Sequence, residues 1–145
     1  VASSLDPIAQ RLASIFREFA SSPEQALAEI EALYHPAVAF RDPIQSFEGR
    51  DAFVEMNLKL ARTMRELSFE VHDVGAGSRA VFLAWTMRAR PRRGPRLVIE
   101  GVTHATVVDG LVVQHVDHWD LLGTLADTLP GAGPAYRKVV HALLG

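Results

Sequence analysis

The apolar positions of this chain change period near its middle. Up to Met64 they return every three or four residues. Ile8, Leu12, Ile15, Phe16 and Phe19 draw one helical stripe, and Phe53, Met56, Leu60 and Met64 draw another. Asp6 is a candidate cap for the first of these helices, with Pro7 in its opening turn. Between the two stripes, Ser22-Pro23-Glu24-Gln25 offers a hydroxyl cap, a proline at the first helical position and Gln25 three residues on. This capping-box pattern predicts a second helix running through Leu33 and closed by His35-Pro36. A short extended piece from Val38 to Asp42 and a loop from Pro43 to Gly49 lead into the third helix.

From Leu67 onward the spacing belongs to strands. Leu67 to Val74, Ala80 to Arg90, Arg96 to Val108 and Leu111 to Trp119 are rich in Val, Phe, Thr, Trp and Ile, with glycine- or proline-bearing connections between them. Asp109-Gly110 is the strongest turn signal, because a two-residue hairpin needs positive φ where these two residues tolerate it. The four runs predict an antiparallel meander. Two more helical segments follow, Leu121 to Leu129 and Pro134 to Leu144. The order of elements is that of an α+β fold: a cone-shaped, curved antiparallel sheet with the N-terminal helices packed on it, enclosing a pocket.

Composition narrows the function classes. At 145 residues and 48% hydrophobic content the chain suits a single domain, residues 1–145, with its own core. A net charge of -2 with both signs dispersed gives no field that would draw it to nucleic acid or to an anionic membrane. Arg88, Arg90, Arg92, Arg93 and Arg96 cluster around the Pro91 to Pro95 loop, but without interleaved aromatics they read as a solvated hairpin tip. Cysteine is absent, which removes disulfides and thiol chemistry and fits a reducing cytoplasm. The opening residues, Val1 to Pro7, have neither a basic nor an apolar leader segment, and no apolar run approaches a membrane span.

Candidate chemistry gathers in the last strand. Alternation places Leu111, Val113, His115, Asp117 and Trp119 on one face, and Val112, Gln114, Val116 and His118 on the other. An imidazole, a carboxylate and an indole in a row are costly to bury without partners, so the row suggests a lined cavity. Trp85 and Met87 on a neighbouring strand would add a flat, adaptable apolar wall. His104, His115, His118 and Asp117 are ligand types for a metal, but His118 faces away from His115 on a regular strand; neither a metal nor a cofactor is expected.

Two motifs carry a family resemblance: Tyr34-His35-Pro36-Ala37-Val38-Ala39-Phe40-Arg41-Asp42-Pro43 before the Gly49-led helix, and Asp109-Gly110 followed by His115-Val116-Asp117-His118-Trp119-Asp120. With the element order, they make the chain resemble the nuclear transport factor 2-like superfamily, which includes ketosteroid isomerases, limonene epoxide hydrolases, scytalone dehydratase and SnoaL-type polyketide cyclases. The resemblance implies a cystatin-like α+β roll. It puts Asp42 where the isomerases keep a proton-moving aspartate, and His104 where they keep an oxyanion donor. Leu12 and Phe16 stand where those enzymes have a first-helix tyrosine. The epoxide hydrolases end their last strand with two aspartates spaced like Asp117 and Asp120, but the arginine and aspartate of their neighbouring strand are replaced here by the Ala84-Trp85-Thr86-Met87 stretch.

Together these features point to an acid–base isomerase, dehydratase or cyclase acting on a small, apolar, ring-containing molecule. In that reading Asp42, His104 and Asp117 are catalytic and Trp85, Met87, His115 and Trp119 line the ligand. A non-catalytic ligand-binding or dimerisation module on the same fold is the alternative. The sheet face bearing Phe82 and Ala84 is the expected surface of a two-fold homodimer.

Overall fold

The apolar stripe of the first helix faces the strands, and the rest of the fold encloses that contact. The computed structural model describes residues 3–145; Val1 and Ala2, part of the opening segment read for a leader, lie outside the described residues. Helix α1 (Asp6–Glu18) buries Ala9, Leu12, Ala13 and Ile15 and lies across the later strands β3 and β4. Its start is organised one step earlier than expected. Ser3 accepts from the Leu5 and Asp6 amides, so Asp6 is already helical and caps nothing. Helix α2 (Pro23–Leu33) begins where the capping-box pattern put it, yet the Ser22 hydroxyl makes no capping bond. The Ser22 carbonyl accepts from Ala26 N–H and the box does not form.

The chain passes directly from α2 into strand β1 (Tyr34–Arg41), four residues earlier than the predicted Val38. A three-residue strand β2 (Ser46–Glu48), not foreseen from the sequence, folds back on it before helix α3 (Arg50–Thr63). Strands β3 (Met64–Ala76), β4 (Ala80–Pro91), β5 (Leu97–Val108) and β6 (Leu111–Trp119) form the expected antiparallel meander. The complete sheet is curved, unclosed and mixed, in the order β2-β1-β6-β5-β4-β3, because β1 runs parallel to β6. Asp109 and Gly110, with φ of 49° and 80°, make the tight turn between β5 and β6.

Two irregularities set which side chains face the helices. Thr106 pairs with Gln114 and Val107 with Val112, so Val113 is an extra residue that bulges out of β6. The strict alternation expected for β6 therefore breaks: Val112 joins the core together with His115, although the two are an odd number of residues apart. A larger shift separates the Tyr34–Val112 and Ala39–Gln114 pairs of β1 and β6, across the segment holding Pro36, which has no N–H for a ladder. The core itself lies between α1–α3 and the concave side of the sheet, and includes Leu12, Leu33, Val38, Leu83, Ala105 and Val112. Helix α4 (Leu121–Thr128) follows β6 across the open end, and α5 (Ala132–Leu144) packs on α4 with an Arg137–Asp127 ion pair of 2.7 Å. No helix among the described residues is long and apolar enough to cross a membrane.

Candidate active site

Curvature leaves a space between α1, α3 and the sheet that side chains do not fill. This cavity holds about 470 Å³, within the range of small-molecule sites. Its wall is mainly aromatic and aliphatic, with Phe16, Phe40, Phe53, Phe69, Trp85 and Trp119 among its residues. Helix α4 adds Leu121, Thr124 and Leu125 at the opening.

The polar part of the wall is one connected chain of hydrogen bonds. Thr103 on β5 donates to Asp117 Oδ1 at 2.6 Å and accepts from the Trp85 indole N–H at 2.9 Å. His115 Nε2 lies 2.8 Å from the same Asp117 Oδ1, and His115 Nδ1 lies 2.7 Å from the Tyr34 hydroxyl. The strands bring these groups together. Tyr34 pairs with Val112 across the parallel β1–β6 contact, and Thr103 sits opposite Asp117 in the β5–β6 ladder.

Satisfying every buried atom fixes the protons. Tyr34 is 1% exposed and its only partner among the described residues is His115 Nδ1, so the hydroxyl donates and that nitrogen accepts. Nε2–H then donates to Asp117. Burial, and after it the charge of Asp117, push the Tyr34 phenol well above its ordinary pKa and keep the proton on oxygen. All four donors thus point, directly or in relay, toward one carboxylate. Asp117 Oδ1 takes two of them, while Oδ2 accepts from no described residue and the side chain, 18% exposed, borders the cavity. A carboxylate held from behind with its second oxygen open is placed to accept a proton or a hydrogen bond from a bound molecule.

Of the residues singled out in the sequence, Asp42, Trp85, Met87, His115, Asp117 and Trp119 all border this cavity. His104 does not. It belongs to the opposite face of β5 from Thr103 and stacks on Phe82 at 4.8 Å on the convex side, so it is not positioned as an oxyanion donor in the cavity. Asp42 is at the rim, where Oδ1 accepts from the Ile44 and Gln45 amides at 2.7 and 2.9 Å and closes a turn. It also borders a second cleft, with Arg41, Pro43, Val116 and His118, that meets the main cavity at Asp117 and Trp119. Tyr34 and Thr103 are the members that sequence reading missed. Tyr34 looked like a helix end, and its bond to His115 spans 81 residues of chain that no local pattern reveals. Among the described residues no group of three or more His, Asp or Glu side chains converges as metal ligands would.

A six-stranded curved sheet wrapped on three helices, with a chemically furnished cavity inside, defines a pocket protein of the nuclear transport factor 2-like superfamily. The sequence model of the SnoaL-like domain matches residues 14–115, and the chain belongs to that family. The match ends at His115, so Asp117, Trp119 and both C-terminal helices lie beyond it. No curated protein matches the chain in sequence. Among solved structures, TsrD from Streptomyces laurentii is 23% identical with a TM-score of 0.70, covering 88% of this chain and 97% of its own. An LEH-like epoxide hydrolase from M. tuberculosis is 15% identical with a TM-score of 0.65, covering 85% and 90%. A protein with a ketosteroid isomerase-like fold from Catenulispora acidiphila is 11% identical with a TM-score of 0.69, covering 82% and 92%. At these identities the likeness is one of fold.

Proposed function

We propose that this protein binds a small, mainly apolar, ring-containing molecule in its cavity and acts on it by acid–base chemistry, as an isomerase, dehydratase or cyclase, with Asp117 as the proton acceptor. The observation that carries the reading is the open Oδ2 of Asp117 on an aromatic-lined wall, with Oδ1 held by His115 and Thr103. Those two donors keep the carboxylate from rotating, so it meets a ligand in one orientation without reorganising. Trp85, Met87 and Trp119 supply faces for the ring. Asp42 keeps a supporting part at the rim, where its turn bonds engage Oδ1 and Oδ2, without a partner among the described residues, meets a polar substituent.

The test uses a neutral ring ketone, 2-tetralone, in D₂O, with exchange of its α-protons followed by NMR. Wild-type protein should accelerate exchange and Asp117→Asn should lose about a hundredfold of that acceleration, while ring affinity stays within about tenfold. Equal exchange in the two proteins sinks the base assignment.

Two further points belong to the same proposal. A second copy pairs on the convex sheet face, where Phe82, Val98 and Val102 are exposed although apolar. The compartment is a reducing cytoplasm, on the strength of the absence of cysteine from all 145 residues.

A further inference from the structure

The network of Tyr34, His115, Thr103, Trp85 and Asp117 carries a net charge of -1. Its hydrogen bonds are complete only with a neutral imidazole. A protonated ring would donate from Nδ1 to the Tyr34 oxygen and strand the buried phenol proton, which has no other acceptor among the described residues. Thr103 and Trp85 add donors but no charge. The negative charge is therefore carried by Asp117 alone, on a side chain only 18% exposed. A carboxylate so placed is costly unless a positive charge comes to meet it.

The cavity wall does not supply that charge at depth. Lys59 is its single lysine or arginine among the described residues, and it is exposed on the outer part of α3. Arg41 borders the adjoining cleft that meets this cavity at Asp117, but it is exposed and pairs with no carboxylate among the described residues, whereas the cavity that Asp117 borders is walled by Phe16, Phe40, Phe53, Trp85 and Trp119. Ring faces carry negative electrostatic potential and attract cations, most strongly where water is excluded.

We infer that the ligand bears a positively charged nitrogen, an ammonium or iminium group on or beside its apolar ring, and that this group sits against Asp117 Oδ2 within the aromatic wall. The inference rests on the ring-binding part of the function proposed above and names the substrate class for it. Where the cationic group is an iminium it also acidifies the C–H bonds of the adjoining carbon, because the electron pair left by the proton forms a C=C bond as the C=N pair returns to nitrogen, so recognition and proton removal draw on the same end of the molecule.

Both tryptophans of the protein, Trp85 and Trp119, border the cavity, which makes intrinsic fluorescence a direct readout of occupancy. The probes are three compounds of one alicyclic frame that does not absorb with indole: 1-adamantylmethylamine, 1-adamantanemethanol and 1-adamantanecarboxylate. On wild-type protein the amine should bind about tenfold more tightly than the alcohol, with the carboxylate weakest. Asp117→Asn should bring the amine to within about twofold of the alcohol, and Lys59→Met should leave the order unchanged. Equal binding of amine and alcohol, or tighter binding of the carboxylate, by wild-type protein overturns the cationic-ligand inference and leaves the ring pocket standing. No binding of any of the three, with tetralone also unbound, overturns the pocket reading and this inference with it. The wild-type comparison needs no variant to fold.

Discussion

The proton on Tyr34 ties stability to pH. The folded protein holds this phenol protonated beyond the ordinary value of 10.0, chiefly because it is buried and secondarily because Asp117 is negative. The unfolded chain releases the proton at the ordinary value. The stabilising contribution is therefore complete below pH 10 and is lost as pH rises above it, at a slope of at most about 1.4 kcal/mol per pH unit. Tyr34→Phe removes that dependence. In urea unfolding it should lower stability at pH 8 by about 1 kcal/mol, through the unpaired His115 nitrogen, yet lose less than wild-type protein between pH 8 and pH 10.5. Parallel pH profiles of the two would show that the phenol does not titrate as described. At this scale the sequence showed the costly residues better than their bonds. His115, Asp117 and Trp119 were legible because polar groups among Val residues need a reason. Tyr34 and Thr103 were not, because a tyrosine after a helix and a threonine in a strand are ordinary until a distant partner arrives.

At the level of elements, β4 and β5 pack with no room to spare at one point. A Cβ added to Gly101 would meet Trp85 Cζ2 and Cη2 at 2.6 Å, and Trp85 is held by its indole bond to Thr103. Gly101→Ala should therefore push the indole into the cavity, cost about 1–3 kcal/mol, and shift tryptophan emission as the ring loses its hydroxyl partner. An unchanged spectrum and thermal midpoint would mean the sheet relaxes instead. The meander and its Asp109-Gly110 turn were readable from alternation and turn chemistry, since both are local. The parallel insertion of β1 beside β6 was hidden, as was the strand β2, because a three-residue strand has too few positions to show a period. His104 was misplaced for a related reason. The resemblance places it only by its neighbourhood in the chain, and one residue along β5, from Thr103 to His104, decides which face of the strand a side chain occupies.

For the whole molecule, the helices hide the concave side of the sheet and leave the convex side bare. Val98 and Val102 are 56% and 42% exposed there, beside the Phe82–His104 stack. If a second copy covers this face, sedimentation of wild-type protein should give twice the monomer mass, and Val102→Glu should shift it toward the monomer with the far-UV spectrum unchanged. A monomeric wild type would refute the pairing. The α+β architecture was legible as a whole because the long helical and strand periods occupy separate stretches of the chain. The cavity was implied only through its lining, since no local pattern records the curvature that opens it. The bulge at Val113 gives that curvature a further meaning. The extra residue resets odd and even in β6, so the half of the strand that anchors the core and the half that carries imidazole, carboxylate and indole obey opposite parities. Removing a single valine would restore one parity throughout. Either the anchor would leave the core, or His115, Asp117 and Trp119 would turn outward together. The chemistry of this pocket thus depends on a count as much as on its residues, and deletion of one inert residue would erase it while every reactive group remained in the chain.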